Sequence, residues 1–346
     1  MDFTLDDTQV ALQDMLRRLL TDGEPDAQAL GASGVFAAPV PEAFGGIAGS
    51  GVEAMIVAEE FGRVGRENHF VETGVLATRL IDELGTDEQR GAWLPQIAAG
   101  ELTVAFVGAE CAIEWEGGPQ EFLLSGRADV VAYGGAADLL IVTATASDDG
   151  TLGLFLLDPG TRGVTVSRFD SIDGARSASF VFDGVRAQPL STGDTAPTLA
   201  AAVDRAIVAQ SAERVGLMAG LINRTLEQLR TRKQFGTLLG DFQALQHRLA
   251  DMFIAYELAR SSVIKAALVE GDPDRRSQAA AAAKYMSARS ARLIGYEAVQ
   301  MHGAMGMTEE LGLGRFVRRI AALDARFGTP ARHLQRLARS RPLPIH

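Results

Sequence analysis

The sequence predicts an α+β protein of three parts: an N-terminal helical domain over residues 1–101, a central β domain over 102–188, and a C-terminal helical bundle over 189–346. Three observations predict this order. Apolar residues recur at helical spacing up to about residue 98, short β-rich runs then follow at intervals of about ten residues, and helical spacing returns in longer stretches. With 346 residues, 47% of them hydrophobic, the chain is long enough for more than one core.

The first hundred residues are expected to be helical. Apolar positions at helical spacing predict a helix over residues 5–21, and after a Pro- and Gly-rich loop at 39–46 they predict two more, over 51–64 and 68–84. Thr86 has the residue type of an N-cap, and the acidic residues that follow it predict a fourth helix to about Ala98.

The central domain is predicted as a small β-barrel or sandwich, bounded by a linker at 186–193. Its strands are expected where β-branched and aromatic residues are concentrated between turn residues, at 102–107, 122–126, 139–144, 152–157, 164–169 and 178–182. The last domain is predicted to contain long helices over about 196–232, 240–270 and 273–301 and a shorter one over about 330–340, which together suggest a four-helix bundle.

Composition excludes several classes of protein. The net charge of −11 argues against nonspecific nucleic-acid binding. The chain has no long apolar run and its N-terminus is acidic, so we expect neither a membrane span nor a signal peptide, and a cytoplasmic location. Cys111 is the single cysteine and is interpreted as a small buried hydrophobe, while His247 and His302 lack metal-ligand spacing, so no metal site is predicted.

The segment from Arg232 to Gly236 and the start of the following helix could bind a planar anion. Arg232 offers a fork of donors that can hold a pyrophosphate, and Gln243 and Gln246 offer amides, so a dinucleotide is the natural candidate. The alternative is that Arg232 merely complements a helix C-terminus and that the nearby phenylalanines are core residues.

A second segment, from Glu297 to Thr308, follows a long helix and contains two glycines. Gln300 and the backbone amides around Gly303 could bind an adenine or a ribose, because glycine lets a backbone approach a ligand closely. The alternative is an ordinary glycine helix stop.

Together with three N-terminal motifs, these segments resemble the acyl-CoA dehydrogenase family from end to end. The N-terminal motifs are Phe3-x-Leu5 with Gln9, Pro41-Glu42-x-x-Gly45-Gly46, and Gly85-Thr86-x-Glu88-Gln89 followed by Leu94-Pro95 and Gly100-Glu101. The resemblance implies a helical domain, a β domain and a four-helix bundle, as the patterns predict. It also implies FAD bound at a subunit interface, with the flavin ring on the β domain of one subunit and the ADP portion on loops of its neighbour.

Carried over by position, one half of that site is intact. The resemblance implies that Arg232 binds the pyrophosphate, that Gln243 contacts the same region, and that the loop of Gln234 and Phe235 also belongs to the cofactor site. The adenosine would be lined by four residues at the end of the third long helix: Gln300, His302, Gly303 and Ala304.

The flavin-ring half departs from the family. Residues 109–116 stand where the family has Thr-Glu-Pro-x-Ala-Gly-Ser-Asp, and only Glu110 is retained. The Trp that stacks on the ring and the Thr that hydrogen-bonds to it are replaced by Val130 and Ala132.

The catalytic base is missing as well. The family removes an α-proton from an acyl thioester with a Glu, whose position here holds Phe327, and its alternative position holds Ala206. No catalytic residue is therefore predicted, although Asp204 and Glu213 are nearby carboxylates that could be considered as replacements.

These features predict a subunit that donates the ADP half of a shared FAD site to a paralogous partner that carries the ring site and the base. It would resemble the base-lacking subunit of actinobacterial heterotetrameric enzymes, α2β2, that dehydrogenate steroid side-chain CoA thioesters, with an electron-transfer flavoprotein as acceptor. Two alternatives remain open: an active homo-oligomeric acyl-CoA dehydrogenase with another base, and a flavin-free scaffold or regulatory protein on the same fold.

Overall fold

The computed structural model describes residues 4–21, 27–108, 110–118, 121–269, 271–308 and 311–340. The chain divides into two compact units. The helical unit comprises Met1–Glu24, Gly51–Glu67 and Asp204–His346, and the β unit comprises Pro25–Ser50 and Asn68–Val203. The finer division into three domains stays a prediction.

Helices dominate both ends of the chain, as the apolar spacing predicts. The first hundred residues contain α1 Asp7–Thr21, α2 Ala27–Ala32, α3 Gly51–Val64, α4 Thr78–Leu84 and α5 Asp87–Ala98, with a π-helix at Phe70–Ala77. The C-terminal part contains α6 Ala196–Thr231, α7 Gln243–Ala267, α8 Pro273–His302, α9 Leu313–Ala325 and α10 Pro330–Ser340. None of the helices in the described ranges is long and apolar enough to cross a bilayer.

Two glycines allow α3 and α6 to pack with their backbones in contact. A Cβ atom on Gly62 would lie 2.0 Å from the carbonyl oxygen of Glu213, and a Cβ on Gly216 would lie 1.9 Å from that of Glu59. Because both neighbours are backbone atoms, a side chain at either position would push the two helices apart.

The sheet of the β unit closes into a barrel, which decides between the barrel and the sandwich that the sequence left open. Its strands are β1 Val104–Val107, β2 Ala112–Gly118, β3 Glu121–Val131, β4 Leu139–Ala146, β5 Leu152–Leu157, β6 Val164–Asp170 and β7 Arg176–Ser191. They follow the order β1-β4-β2-β3-β7-β5, and β5 pairs with β4 to complete the ring, while β6 pairs with β7. The barrel core is apolar, with Leu124, Leu140 and Phe155 fully buried.

Helix α2 and the short strands at 233–234 and 237–238 were not predicted, and three larger differences have clear causes. Strand β2 was not predicted, although Ile113 and Trp115 alternate with outward carboxylates, because the segment was compared with a family loop. Residues 186–191 are the end of β7 and not a linker, since Val185, Ala187 and Leu190 are buried. Helix α9 was missed, although Leu313, Phe316, Ile320 and Leu323 give it a buried helical stripe.

We expect Gly216→Ala to lower the free energy of unfolding by about 1–3 kcal/mol, because the added methyl group overlaps the backbone of α3. Urea denaturation would measure this. Gly91→Ala, in the middle of α5 with no atom within 4 Å of the new methyl group, is the matched control and should raise stability by about 0.5–1 kcal/mol. Equal effects at both positions would contradict the close packing of α3 on α6.

Candidate functional site

The segment after α6 folds back as a short hairpin. Strand β8, Lys233–Gln234, pairs with β9, Thr237–Leu238, across the two-residue turn Phe235–Gly236. Both turn residues have positive φ, 55° for Phe235 and 86° for Gly236, which is the geometry of a type I′ turn. The backbone of Arg232 fixes the base of the hairpin, because its carbonyl accepts a hydrogen bond from the Leu239 N–H at 2.9 Å.

Phe235 lies at the tip of this hairpin and is 92% exposed. Its interpretation as a core residue is therefore wrong. Its ring has an edge contact with Phe242, with centroids 6.3 Å apart. An aromatic residue in the left-handed region is strained, so the chain holds an apolar ring in solvent at a conformational cost of about 1–2 kcal/mol.

The other polar groups of this segment precede α7 or belong to its first turn. Gln234 and Gln243 are exposed, Arg232 is half-buried, and Gln243 is the first residue of α7. The first backbone N–H groups of a helix have no partner within the helix, so this turn favours an anion. Gln246 has a structural role, because its Nε2 donates to the Gly240 carbonyl at 2.7 Å.

The second segment ends α8 with an open backbone. Gly303 has φ 65° and ψ −148°, and a Cβ placed there would meet nothing within 4 Å. Gln300 and Ala304 beside it are exposed. His302 differs, since it is only 3% exposed and its Nδ1 lies 2.7 Å from the Ala298 carbonyl oxygen. The structure therefore contradicts the expectation that its ring lines a ligand, because the ring is packed inside.

The two segments lie at the same end of the helical unit. Helices α7 and α8 are antiparallel neighbours, and Arg248 near the start of α7 pairs with Glu297 near the end of α8, Nε to Oε2 2.7 Å. This packing brings the Arg232 hairpin, the first turn of α7 and the Gln300–Ala304 loop to one end.

Phe327 lies in the turn between α9 and α10, with φ 54°, and it is half-buried. The carbonyls of this turn are hydrogen-bonded to buried side chains. Lys284 Nζ donates to the carbonyl oxygens of Leu323 and Arg326 at 3.1 and 2.6 Å, and His333 Nε2 donates to that of Phe327 at 2.8 Å. The sequence analysis does not single out Lys284 or His333. Lys284 could have been found because it is the single lysine of an alanine-rich helix.

The other base position is equally unsuited to accept a proton. Ala206 is fully buried, and Asp204 is 2% exposed. Arg336 Nη2 donates to Asp204 Oδ1 at 2.8 Å, and Arg276 Nε lies 3.7 Å from Asp204 Oδ2. Burial raises the pKa of Asp204, although the two guanidinium groups oppose that shift.

Glu213 is also engaged in an ion pair. Arg319 Nε donates to Glu213 Oε1 at 2.6 Å, and both side chains are buried. Because each of these two buried carboxylates is paired with at least one guanidinium group, neither Asp204 nor Glu213 is presented for proton abstraction.

In the β unit, residues 112–118 form a regular ladder with β3. Cys111 packs against the barrel core, and burial, reinforced by the charges of Glu110 and Asp129, raises the pKa of its thiol. A raised pKa disfavours the thiolate, which is the nucleophilic form of cysteine. Val130 is 70% exposed beside an irregularity in the β3–β7 register, while Ala132 is half-buried.

The donors of the helical unit fit the ADP part of a dinucleotide. They combine a guanidinium, three exposed amides, an exposed ring, a helix N-terminus and an open glycine backbone, all at one end. Val130 and Ala132 offer neither an aromatic ring nor a hydroxyl for a flavin. Within the described ranges, His, Cys, Asp and Glu side chains form no group of three that could hold a metal ion.

Comparison with known proteins identifies the family. The model of the acyl-CoA dehydrogenase N-terminal domain matches residues 7–101, and that of the C-terminal domain matches residues 200–341. The chain belongs to the acyl-CoA dehydrogenase family, whose members are FAD-dependent oxidoreductases acting on acyl-CoA.

Relatives and structures agree with this assignment. The short-chain specific acyl-CoA dehydrogenase of Clostridium acetobutylicum is 28% identical over 310 residues, which cover 84% of this chain and 82% of the relative. A variant of the Tcur3481–Tcur3483 steroid acyl-CoA dehydrogenase is 28% identical with a TM-score of 0.87, covering 97% of this chain and 98% of that one. The ChsE4–ChsE5 complex from Mycobacterium tuberculosis shares the fold, with a TM-score of 0.88, 23% identity and 98% coverage of both chains.

Phe235→Asn should raise the free energy of unfolding by about 1 kcal/mol, because asparagine tolerates the left-handed region that the turn requires. Urea denaturation would measure the gain. Gly236→Ala is the opposite control: its φ of 86° strains any side chain, so it should lose stability although the new methyl group meets nothing. A stability loss in Phe235→Asn would show that the ring contact with Phe242 outweighs the strain.

His333 should make stability depend on pH. Burial, together with the nearby charges of Lys284, Arg336 and Arg332, lowers its pKa to about 4. In the unfolded chain its pKa is about 6.5, so as pH falls from 6.5 to 4 the unfolded state binds a proton that the folded state does not. This histidine should therefore lower the free energy of unfolding by up to about 1.4 kcal/mol per pH unit across that range.

His333→Gln keeps a donor for the Phe327 carbonyl and cannot titrate. Urea denaturation of both proteins at pH 4 to 8 should show a shallower loss in the variant. If the free energy of unfolding falls equally with pH in both proteins, His333 does not cause the loss of stability. Since His69 in the β unit also has its pKa lowered by burial, to about 4, the difference between the two proteins is the relevant quantity.

Proposed function

We propose that this chain is the base-lacking subunit of a heteromeric FAD-dependent acyl-CoA dehydrogenase. It donates the ADP-side half of an FAD site. A paralogous partner supplies the flavin-ring site and the glutamate base, and the two chains form an α2β2 tetramer. The observation that carries the proposal is that Phe327 and Ala206 occupy both base positions, whereas most of the ADP-side groups, among them Gln243 and Gln300, are exposed.

The chemistry requires a carboxylate at the substrate's α-carbon. Dehydrogenation removes an α-proton to a base while the β-hydrogen leaves as hydride to the flavin, so a phenyl ring and a methyl group cannot replace the base. The nearest replacements, Asp204 and Glu213, are buried and paired with the guanidinium groups of Arg336 and Arg319. The active homo-oligomer is therefore the weaker hypothesis.

The ADP-side groups argue against a flavin-free scaffold. An exposed aromatic ring in a strained turn is costly in a protein that binds nothing there, and Phe235 stands beside Arg232 and close to the first turn of α7. We propose that Arg232, Gln234, Phe235, Gln243, Gln300, Gly303 and Ala304 contact the cofactor through side chain or backbone.

Exposed apolar side chains on α7 and α8 support a partner subunit. Ile254 and Leu258 on α7 are 57% and 56% exposed, and Tyr296 on α8 is 68% exposed. Tyr296 and Gln300 are four residues apart on one side of α8, so a protein that covers Tyr296 also reaches the end that holds the ADP-side groups. Large exposed apolar residues of this kind are typical of interaction surfaces.

The nature of the partner and substrate follows by analogy with the structural relatives. The names of two of them, Tcur3481–Tcur3483 and ChsE4–ChsE5, describe pairs of proteins, and the first is a steroid acyl-CoA dehydrogenase. We propose a paralogous partner, a bulky acyl-CoA such as a steroid side-chain thioester as substrate, an electron-transfer flavoprotein as acceptor, and a cytoplasmic location.

The test is the flavin content of the complex with its paralogous partner and of this chain alone, measured by absorbance. We expect one FAD per heterodimer and none on the isolated chain. Arg232→Ala in the complex should raise the FAD dissociation constant about 10- to 100-fold, because it removes a charge-assisted hydrogen bond worth about 1.5–3 kcal/mol.

Lys233→Ala is the matched control, since Lys233 is an exposed cation next to Arg232 in the same hairpin. It should leave FAD affinity within about threefold of the unchanged complex if specific geometry matters more than net charge. One FAD per chain and dehydrogenase activity in the isolated chain would support the homo-oligomer instead. If Arg232→Ala leaves the flavin content of the complex unchanged, the proposal is wrong.

A further inference from the structure

An ion pair ties together the two helices whose ends carry the ADP-side groups. Arg248 Nε donates to Glu297 Oε2 at 2.7 Å, and the two side chains are 38% and 18% exposed. A surface pair of this kind adds little to the stability of a fold, so its position is of more interest than its strength.

The pair stands about one turn away from each binding segment. Arg248 follows Gln243, the first residue of α7, by five residues, and Glu297 precedes Gln300 by three. Because an α-helix is stiff over so short a distance, fixing Arg248 against Glu297 also fixes the start of α7 against the end of α8. The pair is thereby the contact of the α7–α8 packing that lies within about one turn of both segments.

We infer that Arg248 and Glu297 are positioning residues for the cofactor. They hold the Arg232 hairpin and the first turn of α7 at the distance from the Gln300–Ala304 loop that one FAD molecule needs to contact both. This inference rests on the proposed function, and it adds two residues that do not themselves touch the cofactor. Preorganising the two segments saves the cost of ordering them when FAD binds.

A purely electrostatic role makes a different prediction. If the two side chains acted only through their charges, removing Glu297 would strengthen binding of the anionic pyrophosphate and removing Arg248 would weaken it. In the positioning role both removals weaken binding. Since either change releases the same contact, the double variant should be no worse than each single one.

The experiment is a double-mutant cycle in the complex with the paralogous partner, using Arg248→Gln, Glu297→Gln and the double variant. Titration of the flavin-stripped complex with FAD, followed by flavin fluorescence, gives the dissociation constants. We expect each single variant to raise the constant about three- to fivefold, and the double variant to match the singles within about twofold. The swapped pair Arg248→Glu with Glu297→Arg should recover most of the affinity.

The unfolding temperature and the dependence of FAD binding on Arg232 separate the possible outcomes. The unfolding temperature of the isolated chain should change by no more than about 3 °C in the single variants, whereas a general structural role would lower it further. Opposite effects of the two single variants, or additive ones, would overturn the positioning role while leaving the proposed function intact. If the complex binds FAD independently of Arg232, the proposed function fails and this inference fails with it.

Discussion

The C-terminal bundle is organised around a buried ammonium group. Lys284 is fully buried on α8, and its Nζ donates to Gln210 on α6 and to two carbonyls at the end of α9. A buried cation must be hydrogen-bonded, and the C-terminus of a helix is where carbonyls and the helix dipole favour one. The turn that leads from α9 to α10 is therefore fixed by the same group that joins three helices.

This constraint bears directly on the chemistry. The turn contains Phe327, and its carbonyl is held from the other side by His333. Two donors thus hold the backbone where the family places its base, while the side chain there cannot accept a proton. The turn serves the packing of α10, which is also anchored through Arg336 to Asp204. Residues that could have supplied a carboxylate are used to hold helices together.

The sequence was sufficient for the order of helical, β and helical segments, though not for α2, β2 or α9, because apolar spacing depends on local burial that the fold preserves. It predicted α10 at its observed bounds, and α8 to within one residue. It could not predict that β5 returns to β4 to close the barrel, since strand pairing is a tertiary property. For the candidate site, Arg232, Gln243 and Gln300 followed from residue type, but the inward ring of His302 did not, because helix phase alone does not reveal which neighbours cover a side chain.

The residues of the two halves of the proposed site differ in how far their surroundings in the protein explain them when no ligand is bound. Ala206 and Asp204 have structural surroundings that account for them, with core contacts and ion pairs in place. Phe235 and Phe327 both have positive φ, but the Phe327 carbonyl is hydrogen-bonded to His333 and its ring is half-buried, whereas the ring of Phe235 is 92% exposed. Natural sequences depart from local consistency chiefly where function requires it. We therefore propose that the hairpin serves binding and that the two base positions serve packing, an asymmetry expected of a subunit that completes another chain's site.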